Sequence, residues 1–92
     1  MALSFEWNKN KASTSFKKHD VSFEEATTVF GDNLSITISD PLHSVYEDRF
    51  IIIGYSCKHR LVVVVHTERG DNIRIISARL ATKGERIFYE SK

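Results

Sequence analysis

The stretch Leu61-Val62-Val63-Val64-Val65 decides the fold. It is an unbroken apolar run rich in β-branched valine, so both faces of the strand it forms require burial. At the edge of a sheet this strand would pair with other chains, and we therefore predict that it lies in the interior. Gly70-Asp71 supplies a turn that tolerates positive φ, and Ile73 to Arg79 returns as the next strand. Arginines at the ends of these strands suggest a rigid platform that presents guanidinium groups.

Three further segments have the pattern of strands. Arg49 to Ser56 precedes the central strand and reaches it through the turn Cys57-Lys58-His59. Leu34 to Ser39 alternates apolar and polar residues, as a half-buried strand does. Leu3 to Trp7 also alternates, and is either a short edge strand or an extended lead-in. Short connections force successive strands to run antiparallel.

The first helix is predicted from its N-cap. Asn8 is a good N-cap residue for a helix that runs to about Lys18. Ala12 and Phe16 are four residues apart on this helix and are predicted to face the core.

Two further helices are predicted from capping boxes, in which a hydroxyl and a carboxylate satisfy the free N–H groups of the first turn. Ser22 with Glu25 opens the second helix, and Gly31 ends it. Thr82 with Glu85 opens the last helix, which runs through about Glu90. The predicted fold is α+β, a single domain over residues 1–92 with two N-terminal helices, an antiparallel meander of three or four strands and a C-terminal helix.

Composition indicates one soluble cytoplasmic domain. The chain has 92 residues, of which 41% are hydrophobic and 27% are charged. The single cysteine, Cys57, fits a reducing compartment. The N-terminus lacks the basic and apolar regions of a signal peptide, and no apolar run approaches the roughly 20 residues that span a bilayer. We therefore expect no membrane association.

The net charge of +1 hides an uneven distribution. Residues 1–57 contain 5 Lys and Arg but 8 Asp and Glu, whereas residues 58–92 contain 8 and 4. Five of those eight basic residues are arginine, whose planar fork binds phosphate oxygens in pairs. This basic excess suggests a phosphate-bearing or acidic partner, although solvated surface charge is the plain alternative.

The common catalytic motifs are absent from the sequence. It has no Gly-rich phosphate loop, no cysteine pair for zinc and no Gly-x-Ser-x-Gly elbow. His43 and Glu47, with Asp40 and Asp48 nearby, could form a divalent-metal site. However, their segment has the pattern of a polar loop that fixes no spacing, so we predict neither a metal nor a cofactor. His66 closes the buried strand and is interpreted as a hydrogen-bonded structural residue.

The remaining chemistry lies in five arginines: Arg60, Arg69, Arg74, Arg79 and Arg86. Alternation places Arg74 and Arg79 on opposite faces of their strand unless a bulge intervenes. Arg60 and Arg79 are expected to be neighbours, since one begins a strand and the other ends its antiparallel partner. Two guanidinium groups there would bind the scissile phosphate of RNA and stabilise its dianionic phosphorane.

RNA transesterification needs no metal, because the ribose 2′-hydroxyl is the nucleophile. It leaves a 2′,3′-cyclic phosphate or 3′-phosphate and a 5′-hydroxyl. A proton acceptor is required, and His19 with Lys18 is the best candidate by residue type. A structural alternative stands beside this, because cationic side chains are favoured at a helix C-terminus by the dipole alone.

The whole chain resembles the BrnT family of bacterial toxins. The likeness is carried in order by Phe5-Glu6-Trp7, Lys18-His19, Val21-Ser22-Phe23-Glu24-Glu25-Ala26, His43-Ser44, Glu47, Arg49, Ile53-Gly54, Ile73-Arg74-Ile75-Ile76-Ser77-Ala78-Arg79, Ala81-Thr82, Glu85-Arg86 and Tyr89-Glu90. The resemblance implies a RelE-like fold and a ribonuclease toxin of a type II toxin–antitoxin system that arrests translation. The catalytic candidates are Lys18, His19, Glu47, Arg60 and Arg79, and the RNA-binding candidates are Arg69, Arg74 and Arg86.

The resemblance also implies a partner. A BrnA-type antitoxin would neutralise the toxin, contact operator DNA in place of this chain and repress their shared operon; a toxin–antitoxin heterotetramer is consistent with it. The alternative function is a non-catalytic domain that binds its antitoxin and acts only in the repressing complex. Two positions depart from the family pattern: Asp20 and His59 stand where glycine is usual, in the turns beside Lys18 and Arg60.

Overall fold

A computed structural model describes residues 3–40 and 47–91. The elements in chain order are β1 (Ser4–Glu6), α1 (Lys9–His19), α2 (Phe23–Thr28), a 3-10 turn (Val29–Gly31), β2 (Ile36–Ser39), β3 (Arg49–Tyr55), β4 (Leu61–Arg69), β5 (Asn72–Leu80) and α3 (Lys83–Glu90). The α+β class is confirmed. Most of the predicted polar connection from Leu42 to Asp48, including His43, lies outside the described residues.

The sheet has five strands in the order β1-β5-β4-β3-β2. The apolar strand β4 lies at its centre between β3 and β5, as predicted. The prediction of an all-antiparallel sheet of three or four strands is wrong, because β1 adds a fifth strand parallel to β5. No tight hairpin constrains the direction of β1, and its register follows from side-chain pairing. Phe5 packs on Phe30 with ring centroids 5.2 Å apart, and Glu6 binds Arg74.

One face of the sheet is covered by helices and holds the larger core. Side chains from Val21, α2 and the 3-10 turn pack against β3, β4 and β5. The buried members of this cluster are Val21, Phe23, Ala26, Val29, Ile52, Val62, Val64, Ile73, Ile75 and Ala78. Ala12 of α1 packs on the same cluster. The prediction for Phe16 is wrong, since its side chain is exposed on the surface of α1. We call this side of the sheet the covered face.

Within residues 3–40 and 47–91, α3 covers one end of the opposite face. Tyr89 packs there against Ile53, Leu61 and Val63. Its hydroxyl donates to Asp32 Oδ2 at 2.7 Å, and the same oxygen accepts from the backbone N–H of Tyr55 at 2.8 Å. Burial raises the pKa of Tyr89 to about 12. We call this side of the sheet the open face.

The helix starts follow the predicted caps with one difference. Asn8 accepts from the backbone of Asn10 and Lys11, and both halves of the capping box between Thr82 and Glu85 are present. Ser22 accepts from the Glu25 N–H at 3.0 Å, but the Glu25 carboxylate turns away to other partners. Among the described helices, none is long and apolar enough to cross a membrane.

Candidate active site

The register of the sheet places four arginines on the open face. Thr67 lies opposite Arg49 on one side and Arg74 on the other. Arg69 lies opposite Asn72, two residues along each strand, and Arg79 lies opposite Val63 of the small core. Because side chains two residues apart share a face, all four guanidinium groups belong to the open face.

A bulge is responsible for this arrangement. Val65 lies opposite Ser77, but the next residue, His66, lies opposite Ile75, so Ile76 has no counterpart on β4. One extra residue reverses the alternation along β5. Arg74 and Arg79 would otherwise point to opposite faces. The sequence predicted opposite faces for these two arginines unless a bulge intervened. The bulge is present, and it places both arginines on the open face.

Each of three open-face arginines binds a carboxylate. Arg69 donates to Glu47 at 2.9 Å, and Arg74 donates to Glu6 at 2.7 Å. Arg79 donates to both oxygens of Glu85, at 2.7 and 2.8 Å. Arg86 has a neutral partner instead, and donates to the Tyr55 hydroxyl at 3.3 Å.

These pairs shift the ionisation of their members. The hydrogen bonds that Arg79 donates lower the pKa of Glu85 to about 2, and the same bonds raise the pKa of Arg79. Hydrogen bonds from Asn72 and then Arg74 lower the pKa of Glu6. The open face therefore carries charged pairs at neutral pH, with carboxylates occupying positions that phosphate oxygens could take.

Arg60 lies elsewhere. Its guanidinium forms a bidentate pair with Glu25 of α2, in which Nε donates to Oε2 at 3.0 Å and Nη2 donates to Oε1. Ser56 donates to the same carboxylate at 2.6 Å. The hydrogen bond with Arg60 lowers the pKa of Glu25 although burial opposes it, and raises the pKa of Arg60. The predicted convergence of Arg60 and Arg79 is not met, because their partners lie on α2 and α3, on opposite faces of the sheet.

The turns beside this buried pair have the left-handed geometry expected of glycine. Asp20 ends α1 with φ 59°, and His59 has φ 59° in the turn before Arg60. Arg60 Nη2 donates to the backbone oxygen of Asp20 at 2.9 Å, and Nη1 lies 3.6 Å from its carboxylate. Arg60 therefore ties the C-terminal end of α1 to the sheet, despite both departures from the family pattern.

The end of α1 brings His19 to a groove beside the sheet. Beyond Arg74, β5 has no strand on its outer side among the described residues, and α1 lies there instead. Ser15 Oγ donates to the backbone oxygen of Ala78 at 3.3 Å. The groove has a volume of about 310 Å³ and is lined by Asn10, Lys11, Thr14, Ser15, His19, Ile76 and Ser77.

Of the predicted catalytic residues, His19 is the one that lines this groove. It is half-buried, and its ring has no hydrogen-bond partner within the described part of the chain. Ser77 lines the same groove and lies on the open face, two residues from Arg79. The groove therefore connects an imidazole to the face that carries the arginines. Lys18 is exposed on the adjoining turn.

The other histidine considered from sequence is structural. His66 is fully buried between Phe30 and Phe50, with ring centroids 4.9 and 5.9 Å away, and its Nε2 lies 3.0 Å from Glu68 Oε2. No three His, Cys, Asp or Glu side chains group as metal ligands within residues 3–40 and 47–91. The metal site considered around His43 is not tested by this, since His43 is outside the described residues.

Sequence reasoning missed Glu25, Asn10 and Ser77. The pattern around Glu25 matched a capping box. That pattern assigned the carboxylate a partner within its own helix, so the sequence offered no reason to expect a pair with Arg60. Asn10 and Ser77 are ordinary polar residues on a helix and a strand. A helical stripe of polar residues at spacings of four, Asn10 with Thr14 and Lys11 with Ser15 and His19, was the available signal.

Comparison with known proteins gives two findings. The family model described as "Ribonuclease toxin, BrnT, of type II toxin-antitoxin system" matches residues 7–85. The fold is similar to the crystal structure of the Brucella abortus ribonuclease toxin BrnT, with a TM-score of 0.64 and 20% sequence identity over 89% of this chain and 100% of that one. No curated protein sequence matches the chain.

Proposed function

The chain belongs to the BrnT family of ribonuclease toxins of type II toxin–antitoxin systems, and we propose that it cleaves RNA in the cytoplasm without a metal ion and thereby arrests translation. The observation that carries this proposal is the groove between α1 and β5. It brings the unpartnered ring of His19 alongside Ser77, which shares the open face with Arg74 and Arg79. An imidazole beside guanidinium groups is sufficient for RNA transesterification, in which the substrate supplies the nucleophile.

The reaction proceeds by attack of the ribose 2′-oxygen on the adjacent phosphorus. His19 accepts the 2′-hydroxyl proton as the new P–O bond forms. Arg79 stabilises the dianionic phosphorane through two N–H donors. The P–O5′ bond then breaks, and the leaving 5′-oxygen takes a proton from protonated His19 or from Lys18. The products are a 2′,3′-cyclic phosphate and a 5′-hydroxyl, and hydrolysis of the former gives a 3′-phosphate.

Arg79 must exchange its carboxylate partner for phosphate. The side chains of Arg79 and Glu85 are 40% and 28% exposed, so water reaches the pair. Fully solvated pairs contribute about 0–1 kcal/mol to stability, and this partly exposed pair is expected to lie at the upper end of that range. A phosphate group offers the same bidentate geometry with more negative charge. RNA therefore displaces Glu85 from Arg79 at little cost.

Arg60 is a positioning residue for the C-terminal end of α1. Its bonds to the backbone oxygen of Asp20 and to buried Glu25 hold the end of α1. Lys18 and His19 are the two residues before Asp20, so this contact sets their place at the groove. Arg69, Arg74 and Arg86 are spread over the open face and the adjacent helix, where they bind flanking phosphates of the RNA. Glu47 holds Arg69 until RNA arrives.

The type II family implies an antitoxin. We propose a BrnA-type antitoxin that lays an acidic or amphipathic segment over the open face, replacing the carboxylates that occupy the arginines. The antitoxin then contacts operator DNA, and a heterotetramer with two toxin chains is the assembly we expect. Specific operator binding by the isolated toxin at physiological salt would contradict this division of labour.

One observation favours a second function. Arg60, Arg69, Arg74 and Arg79 each already have a glutamate partner, as expected for a domain whose arginines are structural. On this alternative the chain binds its antitoxin without cleaving RNA and contributes only to repression.

The deciding experiment incubates purified protein with RNA, with and without EDTA, and identifies the product ends. We expect cleavage in both conditions and 2′,3′-cyclic or 3′-phosphate ends. His19→Ala should abolish cleavage, whereas Lys17→Ala, an exposed basic residue on the same helix, should not. Loss of activity in EDTA with recovery in magnesium would overturn the metal-free reaction. No cleavage by any preparation, together with intact antitoxin binding, would establish the alternative.

A further inference from the structure

We propose that the groove between α1 and β5 is a nucleoside subsite, which binds the base and ribose on the 5′ side of the cleaved phosphate and prefers adenine through Asn10. This inference rests on the proposed function, since it uses the position of His19 as the group that takes the 2′-hydroxyl proton. The nucleotide that carries the attacking 2′-oxygen is the one on the 5′ side of the scissile bond. Its ribose must therefore lie beside His19.

The direction of the groove determines where the base goes. Asn10 and His19 both line it and are nine residues apart, about 13 Å along the axis of α1. The two residues line the groove from different turns of α1, so a ligand that contacts both must extend along the groove. A phosphate alone does not fill this length. A ribose at His19 with its base directed toward Asn10 does.

The lining suits a base. The volume of about 310 Å³ lies at the lower end of small-molecule sites, which span about 300–1,000 Å³. Carbon atoms of Lys11, Thr14 and Ile76 offer apolar surface to the flat faces of the ring. The hydroxyls of Thr14 and Ser15 are already engaged with the backbone oxygens of Asn10 and Ala78. The Asn10 amide has no hydrogen-bond partner of its own within the described part of the chain.

A free amide is the group that distinguishes bases here. Asparagine accepts and donates at once, and pairs in bidentate fashion with the N6 and N7 edge of adenine. Guanine presents two acceptors on that edge and pairs less well. Lys11 lies one residue along the helix and can reach a phosphate or a ring nitrogen. The groove therefore favours adenine on the 5′ side of the cut.

The test compares cleavage of dinucleotides ApA, GpA, CpA and UpA by the wild type, Asn10→Ala and Ser13→Ala. Ser13 is exposed on the same helix and lies outside the groove, which makes its variant the matched control. We expect the wild type to prefer ApA, and Asn10→Ala to lower kcat/KM for ApA by about 5- to 150-fold, the value of one bidentate base contact. The remaining substrates should change little, so the preference is flattened. Equal effects of Asn10→Ala on all four substrates, or no difference from Ser13→Ala, would overturn the subsite.

A second measurement separates this inference from the proposed reaction. Adenosine 3′-monophosphate is titrated into the protein, and backbone amide shifts are followed by NMR. We expect saturable shifts at Thr14, Ile76 and Ser77 that Asn10→Ala weakens and Ser13→Ala does not. If RNA is never cleaved but these shifts occur, the proposed reaction fails and the nucleoside site stands. If RNA is cleaved but the shifts lie elsewhere, the reaction stands and the subsite is wrong.

Discussion

On the covered face of the sheet the Glu25 side chain is 1% exposed and holds Arg60, which is 27% exposed, whereas on the open face Glu47 and Arg69 are 42% and 59% exposed. Both are Arg–Glu pairs. A buried carboxylate has lost its water and cannot release its partner without a large penalty. An exposed pair is screened and exchanges its members readily. The covered face therefore uses arginine to hold the fold, and the open face keeps arginine available for phosphate.

The largest expected effect comes from breaking the buried pair. Glu25→Ala removes the acceptor of both Arg60 and Ser56. We expect the free energy of unfolding to fall by about 3 kcal/mol, the lower limit for disrupting a buried pair, because Arg60 retains some water and the Asp20 contact. Glu47→Ala, the matched change on the open face, should cost less than about 1 kcal/mol. Denaturant titration of both variants measures this difference, and equal losses would remove the distinction between the two faces.

The next effect is on activity. Arg79→Ala should lower cleavage by about 10²- to 10³-fold, as loss of an oxyanion-type donor does. Its stability should fall by only about 1 kcal/mol through the lost Glu85 pair. Glu85→Gln breaks the same pair but leaves the guanidinium, and should retain cleavage. Cleavage rates and melting temperatures of both variants decide the point. If the two variants lose activity equally, Arg79 acts only by holding α3.

A core variant completes this comparison. Val63 lies opposite Arg79 on the same face but is buried under Tyr89. Val63→Ala should lower the melting temperature without changing the cleavage rate of the folded protein, the reverse of Arg79→Ala.

Acid should weaken the partly exposed pair of α3. The pKa of Glu85 is lowered from its ordinary 4.5 to about 2 by Arg79. A carboxyl group with a lowered folded-state pKa stabilises the protein fully above its unfolded value, and this contribution is lost as pH falls toward about 2. We expect Glu85→Gln to reduce the fall in unfolding free energy between these pH values by about 1 kcal/mol, the contribution of the pair. Arg79→Ala should have the same effect, because its guanidinium is the cause; a wild-type slope in both would contradict this.

The smallest effect concerns the two turns that position Arg60. His59 and Asp20 both have φ 59°, where glycine has no steric penalty. We expect His59→Gly to stabilise the protein by about 0.5–1 kcal/mol. Asp20→Gly should gain less, since aspartate tolerates this region and its carboxylate lies 3.6 Å from Arg60. His59→Ala keeps the Cβ and is the control. Thermal unfolding measures all three, and a gain in the alanine variant would show that backbone strain is not the cause.

Sequence alone determined the elements whose signals are local. The valine run predicted the central strand, because both faces of such an apolar strand must be buried. The caps at Asn8 and Thr82 predicted helix starts, because their hydrogen bonds lie within one turn. The concentration of arginine in the second half of the chain was also evident from composition. The resemblance to the toxin family rested on residues in order, and the family match agrees with it.

Only the tertiary structure decided which groups meet. The sequence of the three-residue strand β1 does not specify its partner strand. Its contacts with Phe30 and Arg74 place it at the edge of the sheet beside β5. Glu25 satisfied a local capping pattern, but a guanidinium 35 positions away bound it more strongly. The bulge at Ile76 placed Arg74 and Arg79 on one face. Hydrophobic periodicity in the sequence predicts which face of a strand is buried. It does not predict a one-residue bulge or the distant residue with which a charged side chain pairs.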